Sequence, residues 1–225
     1  MNTELVIRPF RPEDRQAVLE IAADTAFFGD PVETFLEDRN LFCDFFYRYY
    51  TDYEPEHGWV ACSGRSVVGF LMGSIDTKIQ HRGMILHILP SSFWNILRGK
   101  YRIGLKSWRY AGRLMATTLK RENTNPDLSV YPAHLHVNIA APWRGHGLGR
   151  RIIEGYLSQL HASDINGVHL NTTDRNVGAC ALYERMGFQL LDSCPTQLWA
   201  DFIDEPVEKR CYGLKLIEQM PNILD

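Results

Sequence analysis

Three glycines at alternate positions, Gly145, Gly147 and Gly149, stand between an apolar run that ends near Ile139 and a helical pattern that begins near Leu148. A strand, a glycine turn and a helix in that order restrict this part of the chain to an α/β arrangement. Glycine permits left-handed torsions and close backbone approach that a Cβ would forbid. The N–H groups that open the following helix lack intrahelical partners and lie at the positive end of its dipole, so the turn suits an anion such as a diphosphate. Two other phosphate motifs do not fit. A P-loop needs a lysine followed by a hydroxyl, and the dinucleotide fingerprint needs GxGxxG where this chain has GxGxG. A turn that only packs helix against strand would use the same glycines.

The rest of the chain alternates strands with helices. Glu4 to Phe10 alternates as a strand, and Arg11-Pro12-Glu13-Asp14 opens a helix with Val18, Leu19, Ala22, Ala23 and Ala26 on one face. The pattern predicts a second helix over 32–53, and a hairpin of 59–62 with 67–75 around Ser63-Gly64-Arg65-Ser66. Further strands fall at 133–140, 167–171 and from 188 onward, with helices at 104–122, 148–161 and 176–186. This order predicts one mixed sheet flanked by helices, in a single domain of residues 1–225 with an insertion at about 77–130.

Of the 225 residues, 45% are hydrophobic and 23% charged, enough apolar material for one core and too ordered a composition for a disordered chain. The longest mostly apolar stretch, 84–97, falls short of the roughly twenty residues a membrane span needs. The first residues lack a secretory layout, and the five scattered cysteines suggest neither a disulfide framework nor a metal site, so a cytoplasmic protein without metal is expected. The net charge of -3 conceals an asymmetry. Residues 1–76 hold 14 acids and 6 bases, whereas residues 77–121 hold ten bases and no acid. Such a block is either a solvated cationic face or an attractor of anionic groups.

Asn176-Val-Gly-Ala179-Cys-Ala-Leu182-Tyr183-Glu-Arg-Met-Gly187-Phe188 reads as a short helix closed by Gly187. Asn176 and Tyr183 share one face of it, with small residues between them. Taken with the glycine turn, this segment carries a family likeness. Arg144-x-x-Gly147-x-Gly149 resembles the [QR]xxGx[GA] signature of the GNAT superfamily of N-acetyltransferases, and 176–188 matches that family's NxxAxxLYxxxGF pattern. Ile7-Arg8-Pro9 followed by Asp14 is similar to its first strand and helix, and Val68-Gly69-Phe70 to its third strand. Within the superfamily, Tyr131 to His136 and Gly167 to Leu170 resemble acetyltransferase-like domains related to those fused to O-GlcNAc hydrolases.

The resemblance implies a GNAT fold, a mostly antiparallel sheet with one parallel, splayed strand pair, and acetyl-CoA as cosubstrate. The pantetheine arm would pair with the backbone near Ile139 and Ala141. The diphosphate would sit on N–H groups of Arg144, Gly145, His146, Gly147, Leu148, Gly149 and Arg150, and Asn176 would bond the arm or the edge of the splay. Family members often place Pro where Ala141 stands; here it follows at Pro142. Tyr183 would be the general acid for the departing thiolate. An amine acceptor of pKa about 10.4 is roughly 0.1% neutral or less at pH 7, so a base or a dry pocket is needed. His134, His136 and Asn138 alternate on one side of a strand, and His134 and His136 are the candidate bases. The family commonly carries a bulge in this strand that would change which of them faces the cleft. Asp174 is expected to cap the helix that carries Asn176.

The implied partner is a small-molecule or peptide amine, with an anionic group on it if the insertion lines the pocket. No nucleic acid is expected, and the oligomeric state, a homodimer included, is left open by the sequence. Two other readings stay open: a non-catalytic acyl-CoA-binding module, and an anionic-polymer or membrane-surface contact through the insertion, where Trp94, Tyr101, Trp108 and Tyr110 interleave with the bases.

Overall fold

The computed structural model describes residues 4–216. Among the described residues seven strands form one sheet: β1 (Leu5–Pro9), β2 (Gly58–Ser63), β3 (Ser66–Ser74), β4 (Ala133–Ile139), β5 (Gly167–Thr173), β6 (Gln189–Thr196) and β7 (Val207–Lys215), in the spatial order β1-β2-β3-β4-β5-β7-β6. Every neighbouring pair is antiparallel except β4–β5. The sequence-based expectation of a mixed, mostly antiparallel sheet holds.

Helices cover both faces. On one lie α1 (Arg15–Asp24), α2 (Arg39–Phe46) and α3 (Arg48–Asp52), packed in a cluster with Val60, Phe70 and Met72. On the other lie α7 (Leu148–Ala162) and α8 (Val177–Arg185), packed with Leu71, Leu135 and Leu170. Alternate residues of β3 and β4 therefore feed opposite cores, as a strand buried on both faces requires. Close approach of α7 is possible because Gly73 lies beneath Tyr156: a Cβ there would come within 2.4 Å of the ring. The Tyr156 hydroxyl donates to the Ser74 carbonyl at 3.0 Å and lies 3.2 Å from that of His134.

The expected single helix over 32–53 is divided. A 3-10 turn (Val32–Thr34) precedes α2, whose N-cap Asp38 accepts from the Leu41 N–H at 3.0 Å, and Tyr47 separates α2 from α3. The insertion forms α4 (Thr77–Gly83), a π turn (Met84–Ile88), α5 (Leu89–Leu97) and α6 (Leu105–Leu119). Part of the charge asymmetry is resolved within the chain. Glu37 accepts from the backbone N–H groups of Gly104, Lys106 and Ser107 at the start of α6, and Asp44 accepts from the Tyr101 hydroxyl at 2.6 Å. Lys100 lies 3.6 Å from Asp44, and Arg113 pairs with Asp201 at 2.6 Å. Burial opposes ionisation of Glu37, but Ser107 and these N–H groups outweigh it and hold its pKa at about 2.

Candidate active site

β4 and β5 are paired only at Ala133–Val168 and His134–His169, then part. Beyond that point β4 stays in register with β3 as far as Ile139, and β5 with β7 as far as Thr173. The gap therefore opens at the C-terminal ends of both strands. Ala140 N–H donates to the Val68 carbonyl at 3.0 Å, on the β3 side. Alternation then turns the N–H and C=O of Val137 and Ile139 toward the gap, where they can pair with an amide-bearing chain. Ala141 begins a 3-10 turn (Ala141–Trp143) at the end of the strand.

The glycine turn follows directly. Gly145 and Gly147 have φ of +80° and +74°, and a Cβ at either would meet no atom within 4 Å. Gly147 is the N-cap of α7 and supplies no side-chain cap, and no acid occupies the first turn. The N–H groups of Gly147, Leu148, Gly149 and Arg150 consequently have no intrahelical partner. An uncapped N-terminus with Arg150 and Arg151 in its first turn is unfavourable for an isolated helix but suits a diphosphate. Gly149 lets α7 approach α8: a Cβ there would lie 3.1 Å from Leu182. Leu148 is buried in the core and His146 is exposed, its Nδ1 3.0 Å from the Arg144 carbonyl, so each offers this site its backbone.

Arg144 differs from expectation. Its N–H donates to the Ala141 carbonyl, and its guanidinium donates to the carbonyls of Ile139 at 3.1 Å and Gly29 at 3.2 Å. It braces the turn against the opposite loop, and the open donors begin after it. The Ile139 carbonyl keeps a second lone pair for a ligand.

Asn176 is the N-cap of α8, and its Nδ2 donates to the Thr172 hydroxyl at 3.0 Å. Asp174 does not cap this helix. Its carboxylate accepts from the Glu208 N–H at 2.9 Å and ties the turn to β7. Tyr183, 6% exposed, packs against Phe188 and Tyr212 with ring centroids 5.9 Å apart in each case. Burial raises its pKa well above 10, which keeps the phenol protonated. Among the described residues no group hydrogen-bonds its hydroxyl, although Tyr212 beside it donates to Glu184 at 2.9 Å.

The histidines lie on the opposite face of the sheet, and α3 and α4 join them into one network. The β3–β4 register is unbroken, so no bulge alters the facing of His134, His136 and Asn138; the sheet's register shifts fall at Ala61/Cys62 and Leu190/Asp192. Thr77 donates to the Pro132 carbonyl at 2.8 Å and lies 2.7 Å from His134 Nδ1. With its one proton committed, Thr77 accepts from Nδ1–H, leaving Nε2 of His134 as the acceptor for the Tyr50 hydroxyl at 2.7 Å. Tyr50 in turn accepts from His136 Nε2 at 3.2 Å. This pattern fixes one tautomer for each ring and leaves Nδ1 of His136 with a lone pair. Asn138 is occupied elsewhere, donating to the Thr25 hydroxyl at 2.6 Å and accepting from Tyr47 at 3.3 Å. Tyr50 and Thr77 escaped the sequence reading; the aromatic face of 32–53 was the available signal for Tyr50, and none pointed to Thr77.

Burial, followed by the like charge of neighbouring histidines, depresses His134 well below 6.5. Desolvation and then the like charge of His169 lower His136 toward about 4, while the residue itself is exposed at the cleft, where solvent works against the shift. His169 is also lowered by burial, against the opposing pull of the Tyr131 carbonyl. All three are neutral at pH 7. A histidine whose folded pKa is depressed withholds a proton that the unfolded chain binds below about 6.5, so its stabilising contribution is lost as pH falls from about 6.5 toward the folded pKa. Thermal melts should therefore show Tm falling between pH 6.5 and 4, before most carboxylates titrate. His134→Gln, whose amide can still donate to Thr77 and accept from Tyr50, should make that fall shallower; an unchanged slope would remove His134 from the account.

These histidines line a cleft of about 530 Å³ together with Tyr50, Gln80, Met84 and Leu89. Its lining contains no Lys, Arg, Asp or Glu. The insertion thus borders the pocket with Thr77, Gln80, His81, Met84, Ile85 and Leu89 and carries its lysines and arginines elsewhere.

The fold is shared with solved acetyltransferases. It is similar to the crystal structure of SsHAT, with a TM-score of 0.72 and 28% identity over 95% of this chain and 98% of that one. It is also similar to the polyamine N-acetyltransferase of Drosophila melanogaster, an enzyme that forms N-acetylagmatine (TM-score 0.59, 17% identity, 95% and 100% covered). A third likeness is to yncA, a putative acetyltransferase of Salmonella typhimurium solved with acetyl-CoA (TM-score 0.55, 12% identity, 98% and 99% covered). The family model of the GNAT acetyltransferases matches residues 16–188, and the chain, with its glycine turn, splayed strands and α8 tyrosine, belongs to that family.

Proposed function

We propose that residues 1–225 act as one domain that transfers the acetyl group of acetyl-CoA to a primary amine by direct attack in a ternary complex. The observation that carries this reading is the parting of β4 and β5 beside an uncapped helix N-terminus whose two preceding turn glycines have positive φ. Bound acetyl-CoA supplies the activated acyl group. Gly147, Leu148, Gly149 and Arg150, with Gly145 and His146 shaping the approach, hold its diphosphate through main-chain N–H groups. Val137 and Ile139, flanked by Ala141 and Asn176, orient the amide-bearing arm along the gap. The amine nitrogen forms its bond to the acetyl carbon as the carbon–sulfur bond breaks. His136 Nδ1 takes the proton released from nitrogen, and the Tyr183 hydroxyl supplies the proton that sulfur receives. His134 acts through Tyr50 by holding the His136 tautomer.

The cleft favours an acceptor whose body is uncharged, because an anionic group there would find no Lys or Arg among the lining residues. A thiol-release assay with acetyl-CoA across an amine panel tests the reaction. At least one primary amine should release CoA and gain one acetyl group by mass. Binding of acetyl-CoA without release across that panel would instead identify a binding-only module. His136→Ala should lower kcat/KM for a reactive amine by roughly 10²-fold. Because His136 is already neutral well below pH 6.5, the wild-type kcat/KM should climb with pH as the amine loses its proton, with no break near 6.5. A break there would assign the base to a different histidine.

A further inference from the structure

The insertion helices are built inside out. In α5 the buried residue is Ser92, whose hydroxyl has no hydrogen-bond partner among the described residues, whereas Phe93, Trp94 and Leu97 are exposed. In α6 the buried positions are Ser107, Tyr110 and Thr117, while Leu105, Trp108, Met115 and Leu119 stand in solvent, Trp108 at 69% and Leu119 at 78% exposure. Their spacing of three, seven and four residues makes one continuous stripe along the helix. A helix on a water-exposed surface has the opposite arrangement. Of the eighteen large apolar side chains exposed among the described residues, thirteen lie between 77 and 121, so this is a patch and not scatter.

The charge around the patch names its occupant. Residues 77–121 contain no carboxylate. The side-chain cations of Arg82, Arg98, Arg102, Arg109 and Lys120 have no carboxylate within 4 Å among the described residues, unlike those of Lys100 and Arg113; the Arg102 backbone N–H alone donates to Asp38. Arg98 sits 4.8 Å over the Trp94 ring, an apolar surface joined to a cation. Tyr101 and Tyr110, which the interleaved pattern offered as stacking surfaces, are buried, so the exposed set is aliphatic residues, Met115, Phe93 and two tryptophans edged by cations. We propose that the outward face of α5 and α6 docks on an anionic lipid surface, with its apolar side chains at the headgroup–acyl boundary and its bases on the headgroups. A second copy of the chain fits poorly, since a two-fold contact would set this acid-free surface against itself. Among the described residues no helix is long and apolar enough to cross a membrane, so the contact lies in the membrane plane. Ile85 and Leu89 belong both to this surface and to the cleft lining, which places the cleft mouth beside the headgroups.

Vesicle sedimentation tests this independently of the acetyl-transfer reading. With a net charge of -3 the protein as a whole is repelled by anionic lipid, so binding must be local. The full chain should sediment with phosphatidylcholine vesicles containing phosphatidylserine, sediment little with phosphatidylcholine alone, and show a blue-shifted tryptophan emission when bound. Trp94→Ser with Trp108→Ser should weaken vesicle affinity by at least ~10-fold, and Arg98→Gln with Lys120→Gln should weaken it and flatten its salt dependence. Both variants should keep wild-type melting curves and acetyl-CoA binding. Equal sedimentation with neutral and anionic vesicles, or none with either, overturns the proposal. So does light scattering that finds a dimer dissociated by Trp108→Ser while vesicle binding is unaffected.

Discussion

Tyr183→Phe should lower kcat for acetyl transfer by roughly 10²- to 10³-fold, the scale of a lost general acid, with acetyl-CoA affinity changed by less than about twofold. Three observations set that expectation apart from a packing effect. Tyr183 is buried against Phe188 and Tyr212, a setting that phenylalanine fills equally well. No protein group bonds its hydroxyl among the described residues, so removing the oxygen leaves no partner stranded. Its pKa is raised, so the proton is present throughout the neutral range. The expected signature is a fall in kcat with KM for acetyl-CoA and Tm both near wild type. The loss should shrink for acyl donors with more acidic thiol leaving groups, which need less protonation. A drop in Tm matching the drop in rate would assign Tyr183 a structural role.

Gly147→Val should have the other large effect, this time on binding. At φ +74° a β-branched residue is strained, so the change should cost about 1–2 kcal/mol of stability. The space beside Gly147 is otherwise open, and the melting point should fall by only about 2–8 °C. Acetyl-CoA affinity should fall much further, by roughly 30- to 100-fold, because the branched side chain covers the N–H groups proposed to grip the diphosphate, each charge-assisted bond contributing about 1.5–3 kcal/mol. Titration calorimetry separates the two effects. Affinity within about threefold of wild type would remove the turn from the cofactor site.

The elements that hold the proposed site were legible because their local chemistry admits few alternatives. Gly145 and Gly147 do adopt positive φ, Gly187 does close α8, and β4 leads straight into the turn. Tertiary contacts decided the rest. Arg144 matches a signature position, but whether its guanidinium faces a phosphate or the Gly29 carbonyl depends on a loop 115 residues away. Asp174 has the residue type of a helix cap, yet the Glu208 N–H on β7 claims it. Asn138 shares a strand face with both histidines, but Thr25 and Tyr47 take its amide. The helix pattern over 32–53 carried no sign of its break at Tyr47. The insertion was the least legible part, since its basic composition fits a solvated face and an anion-attracting one equally well. In the folded chain Glu37 and Asp44 bind part of it, and none of its lysines or arginines lines the cleft.

The most direct measurement is a crystal structure of the protein grown with CoA. The account predicts the diphosphate on the N–H groups of 147–150, the pantetheine arm threaded between β4 and β5, and the sulfur within hydrogen-bonding reach of the Tyr183 hydroxyl. CoA bound elsewhere on the molecule, or a sulfur directed away from both Tyr183 and His136, would contradict it.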